Sequence, residues 1–135
     1  MLEEFLGRAK VAPLFSKGWV DVMIDVDRDT HGKEINERLK GKRPGGLPWM
    51  VILDGDGKEL VSSNAEPKGE NIGGPATEEE CAWFGVMLQR SRGDKVSEAE
   101  IAAMLADLEE YSQPRRKPKP AVTPPGKSGS GGTDR

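Results

Sequence analysis

The chain is poor in the residues that metal and redox sites most often require. Its 135 residues include one cysteine and one histidine. A single cysteine excludes an intrachain disulfide. One cysteine with one histidine also excludes an ordinary zinc cage, which takes four such ligands. We therefore assign no metal ligand, no cofactor and no catalytic residue from composition.

Long apolar runs and a strong net charge are also missing. No run approaches the roughly 20 residues of a membrane-spanning helix, and the opening residues 1–4 lack the basic start and apolar stretch of a secretory signal. The formal net charge of −3 is not the basic excess typical of nucleic-acid-binding proteins. We expect no membrane span and no nucleic-acid partner. The compartment stays open: cytoplasmic as the chain is written, exported if the true start lies upstream.

Composition divides the chain into a body and a tail. Residues 114–135 contain five prolines, four glycines and no aromatic residue, with six basic side chains against one acidic. The tail therefore carries +5, which leaves −8 for residues 1–113. A segment with so little apolar surface cannot offset the entropy lost on ordering. We predict a domain over 1–113 and a disordered basic tail over 114–135.

The first half of the body predicts helix, strand and helix. Residues 2–9 place apolar side chains at helical spacing, and Pro13 leaves 12–15 as at most a short turn of helix. Apolar residues alternate from Val20 to Val26, which predicts a strand. A short helix is expected over Lys33–Leu39.

The middle of the body predicts a hairpin. Pro48–Leu53 is nearly all apolar, as in a strand buried on both faces. Asp54-Gly55-Asp56-Gly57 is a strong turn signal, and Lys58–Ser62 returns as the second arm. On the base rate for X–Pro bonds alone, Leu47–Pro48 is expected to be trans.

Two helices with capping boxes are predicted to close the body. Thr77 with Glu80 opens the first, and Ser97 with Glu100 opens the second. The residues expected to face the core are Cys81, Trp83, Phe84, Met87 and Leu88 in the first helix and Ile101, Met104, Leu105 and Leu108 in the second.

Asp25-x-Asp27-x-Asp29 invites a calcium-loop interpretation, because hard cations take several carboxylate oxygens from one tight loop. The EF-hand pattern needs glycine at its sixth position and glutamate at its twelfth. Those positions hold Thr30 and Asn36, so we do not favour a calcium site.

Three other candidate features favour ordinary structural roles. His31 has no serine or cysteine near it in sequence and is expected on a surface loop. Gly41–Gly46 lacks the spacing of a phosphate-binding loop. Cys81 lies on the apolar face of a helix that begins with three glutamates, which favours a packed thiol over a reactive one.

The segment Gly46–Leu60 resembles the glycine, apolar residue, cis-proline, strand, turn and strand of thioredoxin-like proteins. Phe15–Asp27 resembles the strand that precedes this segment in the family, and residues 1–6 resemble the helix that follows the redox motif. The resemblance spans residues 1–92 and is closest to bacterial thioredoxin-like proteins of the disulfide-reductase type, with an extra helix at Ser97–Ser112. It implies an α/β three-layer fold, truncated at the N-terminus, with a mixed sheet and flanking helices.

The resemblance implies a substrate-binding site without its catalytic pair. Pro48 matches the family's cis-proline, Leu47 would offer its backbone to an extended peptide, and Trp49 would supply apolar contact. The family's Cys-x-x-Cys motif would lie just before residue 1, and Cys81 cannot replace it. We expect either a start codon placed too far downstream or a truncated relative. The strand before that motif would also be missing, so Val20–Val26 and the strand after Pro48 must pair directly or with another chain.

Three hypotheses about function follow. The first is a thioredoxin-like protein of the thiol–disulfide oxidoreductase family whose dithiol is absent from this chain. The second is a redox-inactive module that binds an extended peptide at Leu47, Pro48 and Trp49. The third is an adaptor whose basic tail binds an acidic partner. The expected partner in the first two is a protein or peptide, and the oligomeric state is not predicted.

Overall fold

The computed structural model describes residues 2–116. Residues 117–135, which make up most of the predicted tail, lie outside the described residues. Pro114 and Arg115, assigned to the tail from sequence, belong instead to a 3₁₀ turn over Gln113–Arg115. Arg116 follows that turn and donates from Nη2 to Glu109 at 2.7 Å.

Within residues 2–116 the chain forms helices and small antiparallel sheets, a mixed α and β architecture. No helix in this part of the chain is long and apolar enough to cross a membrane. In chain order the elements are α1 (Leu2–Leu6), α2 (Ala12–Gly18), α3 (Gly32–Lys40), β1 (Val51–Leu53), β2 (Glu59–Ser62), β3 (Asn64–Ala65), β4 (Glu70–Asn71), α4 (Glu78–Ser91) and α5 (Glu98–Ser112).

The N-terminal helices differ from the prediction in their bounds. α1 ends at Leu6, three residues earlier than expected, and its Phe5 is only 1% exposed. α2 is a helix of seven residues where we expected at most a short turn. The prediction failed because Pro13 lies in the first turn of α2, where its missing N–H breaks no helical hydrogen bond. α3 confirms the helix expected at Lys33–Leu39.

The strand predicted over Val20–Val26 is not present. The segment belongs to neither sheet of the described residues, and Val20 and Val22 are 90% and 72% exposed. Alternating apolar residues favour a strand only where a neighbouring strand completes the hydrogen-bond ladder. Among residues 2–116 none lies beside this segment, so it does not pair with the strand after Pro48.

The hairpin is confirmed, but its first strand is shorter and more exposed than predicted. β1 pairs antiparallel with β2 in the register Val51↔Ser62 and Ile52↔Val61. Gly57, at φ 84°, closes the predicted Asp-Gly turn. The prediction of a strand buried on both faces was wrong, because Val51 and Ile52 are only half-buried and Leu53 is 38% exposed.

β3 and β4 form a second antiparallel pair through Asn64↔Asn71. The described residues therefore hold two separate two-stranded sheets. The single mixed sheet expected from the sequence is not formed. Its parallel pairing would have required a strand at Val20–Val26.

Both capping boxes are confirmed. The hydroxyls of Thr77 and Ser97 each accept a hydrogen bond, 3.1 Å long, from the backbone N–H of Glu80 and Glu100 respectively. Each glutamate side chain in turn accepts from the backbone N–H of its capping residue. These pairs satisfy donors that a helix start leaves without intrahelical partners.

The core lies where α4 meets α5, α1 and β2. Phe84 of α4 meets the ring of Phe5 edge-on at 6.1 Å, and the Trp83 indole N–H donates to the Ser62 carbonyl at 2.9 Å. α5 comes so close that a Cβ on Gly85 would lie 2.9 Å from Leu105. The predicted core faces are buried except Cys81 and Leu105, which are half-buried.

The ion pair of Arg8 with Asp107 ties the turn between α1 and α2 to α5. Arg8 Nε and Nη2 donate to the two carboxylate oxygens of Asp107 at 2.6 and 3.1 Å. The Asp107 side chain is 2% exposed and that of Arg8 is 33% exposed. The hydrogen bond from Arg8 holds the pKa of Asp107 below its ordinary value. A nearly buried carboxylate thus depends on one cation.

We predict that Arg8→Ala lowers the free energy of unfolding by about 3 kcal/mol, because it leaves the Asp107 carboxylate buried without a partner. Since the pKa of Asp107 is lowered in the fold, this stabilisation is present at neutral pH. It is lost as the pH falls through that pKa. Urea unfolding at neutral pH and at a series of pH values below the ordinary aspartate pKa of about 3.9 measures both effects, and the difference between the two proteins should shrink as the pH falls.

Arg28→Ala provides the matched control. The Arg28 side chain is 88% exposed and lies 3.8 Å from Asp25. Exposed pairs contribute about 0–1 kcal/mol. Equal losses in the two variants would show that the Arg8–Asp107 pair has no special role.

Candidate functional site

The three predicted binding residues lie together at the end of the loop 41–50, which joins α3 to β1. Leu47 is 65% exposed, Pro48 is exposed and Trp49 is half-buried. The Leu47–Pro48 bond is cis, as the family resemblance implied and contrary to the base-rate expectation. The loop thus presents Leu47 and Pro48 to solvent and turns Trp49 inward.

Asn71, in β4, holds the centre of this loop. Its Nδ2 donates to the carbonyls of Gly46 and Pro48 at 2.8 and 3.1 Å. Its Oδ1 accepts from the Ser63 hydroxyl at 2.7 Å and from the Gly73 N–H at 3.1 Å. The side-chain amide therefore uses all four of its hydrogen-bonding positions. The backbone on either side of Leu47 is fixed to the second sheet.

Asn64, in β3, holds the start and the end of the same loop. Its Nδ2 donates to the Pro44 carbonyl at 3.1 Å and to the Gly69 carbonyl at 2.8 Å. Its Oδ1 accepts from the Trp49 indole N–H at 2.7 Å. Asn64 is 8% exposed, so this network lies largely out of water. Two opposed residues of one strand pair thus hold four points of the loop between them: Pro44, Gly46, Pro48 and Trp49.

Trp49 is further held by Arg43. The guanidinium carbon lies 5.0 Å from the centre of the indole ring, within cation–π range. Arg43 also donates to both carboxylate oxygens of Glu59 at 2.7 and 2.8 Å. This hydrogen bond holds the pKa of Glu59 below its ordinary value. Trp49 therefore contributes to the shape of the loop, with its N–H bonded and Arg43 over its ring.

Gly45 is required by the close approach of the loop to Asn71. It has a φ of 104°, which L side chains rarely adopt. A Cβ placed there would lie 2.4 Å from the Cβ of Asn71. The glycine at this position is what allows the loop to reach its anchor.

Two sets of backbone groups are open to a ligand beside this loop. Within residues 2–116, no partner hydrogen-bonds to the backbone of Leu47. β1 pairs with β2 alone in the described part of the chain, so its other edge carries no strand. An extended chain binding here would find donors and acceptors held by the network around it.

In the two acidic motifs considered as calcium loops, the carboxylate oxygens accept hydrogen bonds from backbone N–H groups of the same motif or of the residues next to it. Asp25 Oδ1 accepts from the N–H groups of Asp27 and Arg28 at 2.9 and 3.1 Å, and Asp29 Oδ2 accepts from the Asp25 N–H at 2.8 Å. Asp54 does the same across the hairpin turn, and these backbone hydrogen bonds lower its pKa. Both motifs stabilise turns.

The remaining candidates lie apart from the loop. His31 is exposed and its Nδ1 is 3.2 Å from Glu34. The half-buried Cys81 thiol lies 3.7 Å from the Ser112 hydroxyl. No group of three or more potential metal ligands occurs within residues 2–116.

Comparisons of the chain with models of protein families, with curated proteins and with solved structures found no match. The architecture of mixed helices and antiparallel strand pairs is therefore what the structure establishes, and a family assignment is a matter for proposal.

Sequence reasoning missed Asn64, Asn71 and Arg43. The asparagines follow the hairpin in a stretch that reads as turn-forming sequence, and their partners are backbone carbonyls 20 to 25 residues away. Every residue has a backbone carbonyl, so the sequence does not indicate which carbonyl accepts a side-chain hydrogen bond. The one available signal was a polar Ser62-Ser63-Asn64 run directly after an apolar strand.

We predict that Asn71→Ala lowers the free energy of unfolding by about 2 kcal/mol, because four hydrogen bonds, two of them partly buried, are lost together. It should also speed amide hydrogen exchange in residues 44–50 relative to α5, since the loop loses its central anchor. Exchange measured by mass spectrometry resolves the two regions. Asn36→Ala in α3, which makes no side-chain hydrogen bond in the described residues, is the control. Unchanged exchange in 44–50 would contradict the anchoring role.

Proposed function

We propose that this chain is a thioredoxin-like domain that binds an extended peptide at Leu47 and Pro48. The observation that carries the proposal is an exposed Leu47 whose backbone groups have no hydrogen-bond partner within residues 2–116, on a loop that two asparagines hold at four points. A preorganised loop lowers the entropy lost when a ligand binds. The site therefore suits recognition without any catalytic group.

The order of elements after Pro48 supports the family part of the proposal. β1, an Asp-Gly turn and β2 follow the loop, and α4 comes after the short strands β3 and β4 and packs on β2 through Trp83. Apart from β3 and β4, this order is the one that the resemblance implies from residue 48 to residue 92. The strand expected at Val20–Val26 is absent from the described residues, so the support comes from the second half of the domain.

Thiol chemistry is not part of the proposed activity. Residues 1–135 hold one cysteine, and the Cys81 thiol lies between α4 and α5 against Ser112. Attack on a disulfide and release of the product require two thiols in exchange. The relation to thiol–disulfide oxidoreductases that we propose is one of fold and of peptide-binding position.

The ligand that fits is a peptide in extended conformation. Main-chain hydrogen bonds to Leu47 and to the open edge of β1 would supply affinity, as in binding by strand addition. Leu47, which is 65% exposed, and Leu53, which is 38% exposed, offer apolar contact to the peptide. Trp49 contributes indirectly to binding, because it fixes the shape of the loop.

We predict that Leu47→Asp weakens peptide binding at least tenfold, about 1.4 kcal/mol. A bound peptide would desolvate the introduced carboxylate, which costs free energy. Linear peptides selected from a phage-displayed library on the full chain, then labelled with fluorescein, supply the probe. Fluorescence anisotropy gives the dissociation constants.

Leu60→Asp is the matched control, because Leu60 is also an exposed leucine, at 41%, on β2. It should bind the selected peptides as the unchanged chain does. Equal weakening by both variants, or no peptide selected at all, would contradict the proposed site. Alkylation of Cys81 should leave the affinity unchanged, and a loss on alkylation would favour a thiol-dependent function.

A further inference from the structure

A second apolar surface lies near the N-terminal end of the chain, between α1 and α2. This cleft, of about 350 Å³, is lined by the apolar side chains Leu6, Ala12, Phe15 and Trp19 together with the carboxylates Glu3 and Asp21. None of these residues belongs to the loop 41–50. The proposed peptide-binding site therefore does not account for it.

Two aromatic rings give the cleft a flat wall. Phe15 and Trp19 stack with ring centres 5.1 Å apart and planes 15° from parallel. The Trp19 indole N–H donates to the Ser91 hydroxyl at 2.9 Å, which fixes the ring. Grooves lined by aromatic rings are the surfaces on which proline-rich segments dock, because such segments are already extended and lose little entropy.

The carboxylates of the cleft have no cationic partner in the described part of the chain. Within residues 2–116 neither Glu3 nor Asp21 forms a hydrogen bond or an ion pair. The neighbouring Glu4, by contrast, accepts from Arg115 Nη2 at 3.1 Å. The cleft thus presents apolar rings beside uncompensated negative charge, and a proline-rich basic ligand matches both features.

We propose that the occupant is the chain's own segment 117–125, Lys-Pro-Lys-Pro-Ala-Val-Thr-Pro-Pro. It carries two lysines, four prolines and Val122, and residues 117–135 have a net charge of +3. The prolines and Val122 pack against Phe15 and Trp19. Lys117 and Lys119 pair with Glu3 and Asp21.

The described structure ends close enough for this contact. The Arg115 side chain bonds to Glu4, the residue next to Glu3, and the last described residue, Arg116, bonds to Ala76 and Glu109, so the described chain ends within a side chain's reach of α1. An extended proline-rich segment rises about 3.1 Å per residue, so nine residues span roughly 28 Å. A helix is only about 10–12 Å across. The segment can pass around α1 and reach the cleft.

Paramagnetic relaxation in the full chain tests the proposal. A nitroxide label is attached to the cysteine of a Thr123→Cys variant in which Cys81→Ser removes the native thiol. The intensity of each amide NMR signal is then measured with the label paramagnetic and again after the label is reduced. We expect loss of intensity at Gly7, Ser16 and Trp19, and none at Ile35 in α3. Ser128→Cys serves as a second label position in case the first label blocks docking.

Charge variants and a mixing experiment decide the outcome. Glu3→Gln with Asp21→Asn, or Lys117→Gln with Lys119→Gln, should abolish the intensity loss, as should about 1 M salt, where the Debye length falls to about 3 Å. Loss that persists in these variants, or that is absent at both label positions, overturns the proposal. Equal loss in a mixture of labelled chain with isotope-enriched unlabelled chain also overturns it, because the tail would then bind another copy.

Discussion

Burial of α4 on both of its faces is the constraint on which the other elements depend. Trp83 reaches β2, Phe84 meets Phe5 of α1, and Gly85 admits Leu105 of α5 at a distance that no larger residue would allow without a shift. Because β2 is held to α4, the hairpin and the sheet of Asn64 and Asn71 that follows it have a fixed base. The loop that carries Leu47 is rigid for the same reason, since its anchors are built on that base.

The parts of the fold that could be predicted are those whose causes are local in sequence. A capping box needs two residues three apart, so the starts of α4 and α5 were predicted at the correct residue. The Asp-Gly turn after Leu53 is equally local. The strand at Val20–Val26 failed because a strand depends on a neighbour, and periodicity describes only one of the two partners. α2 was underestimated because Pro13 was taken as a stop, although the first turn of a helix tolerates it.

The candidate site likewise consists of residues that a local motif predicted and residues that it did not predict. Leu47, Pro48 and Trp49 were found because a contiguous motif carries them, and they do lie together on the loop. The motif does not contain the residues that hold them in position. Asn64 and Asn71 act on carbonyl oxygens, and the stacking of Arg43 on Trp49 depends on how the loop folds back toward β2. The exposure of Leu47 follows from those anchors and could not be read from the residue itself.

The pairing of Arg8 with Asp107 has a consequence for the order of folding during synthesis. These partners are 99 positions apart, and Phe5 likewise depends on Phe84 and Tyr111. At about 5–20 residues per second, a ribosome takes roughly 5–20 s to make the intervening chain. Throughout that interval α1 has been made but has nothing to bury against, so its apolar face is available to chaperones. α1 is thus synthesised well before the residues that bury it.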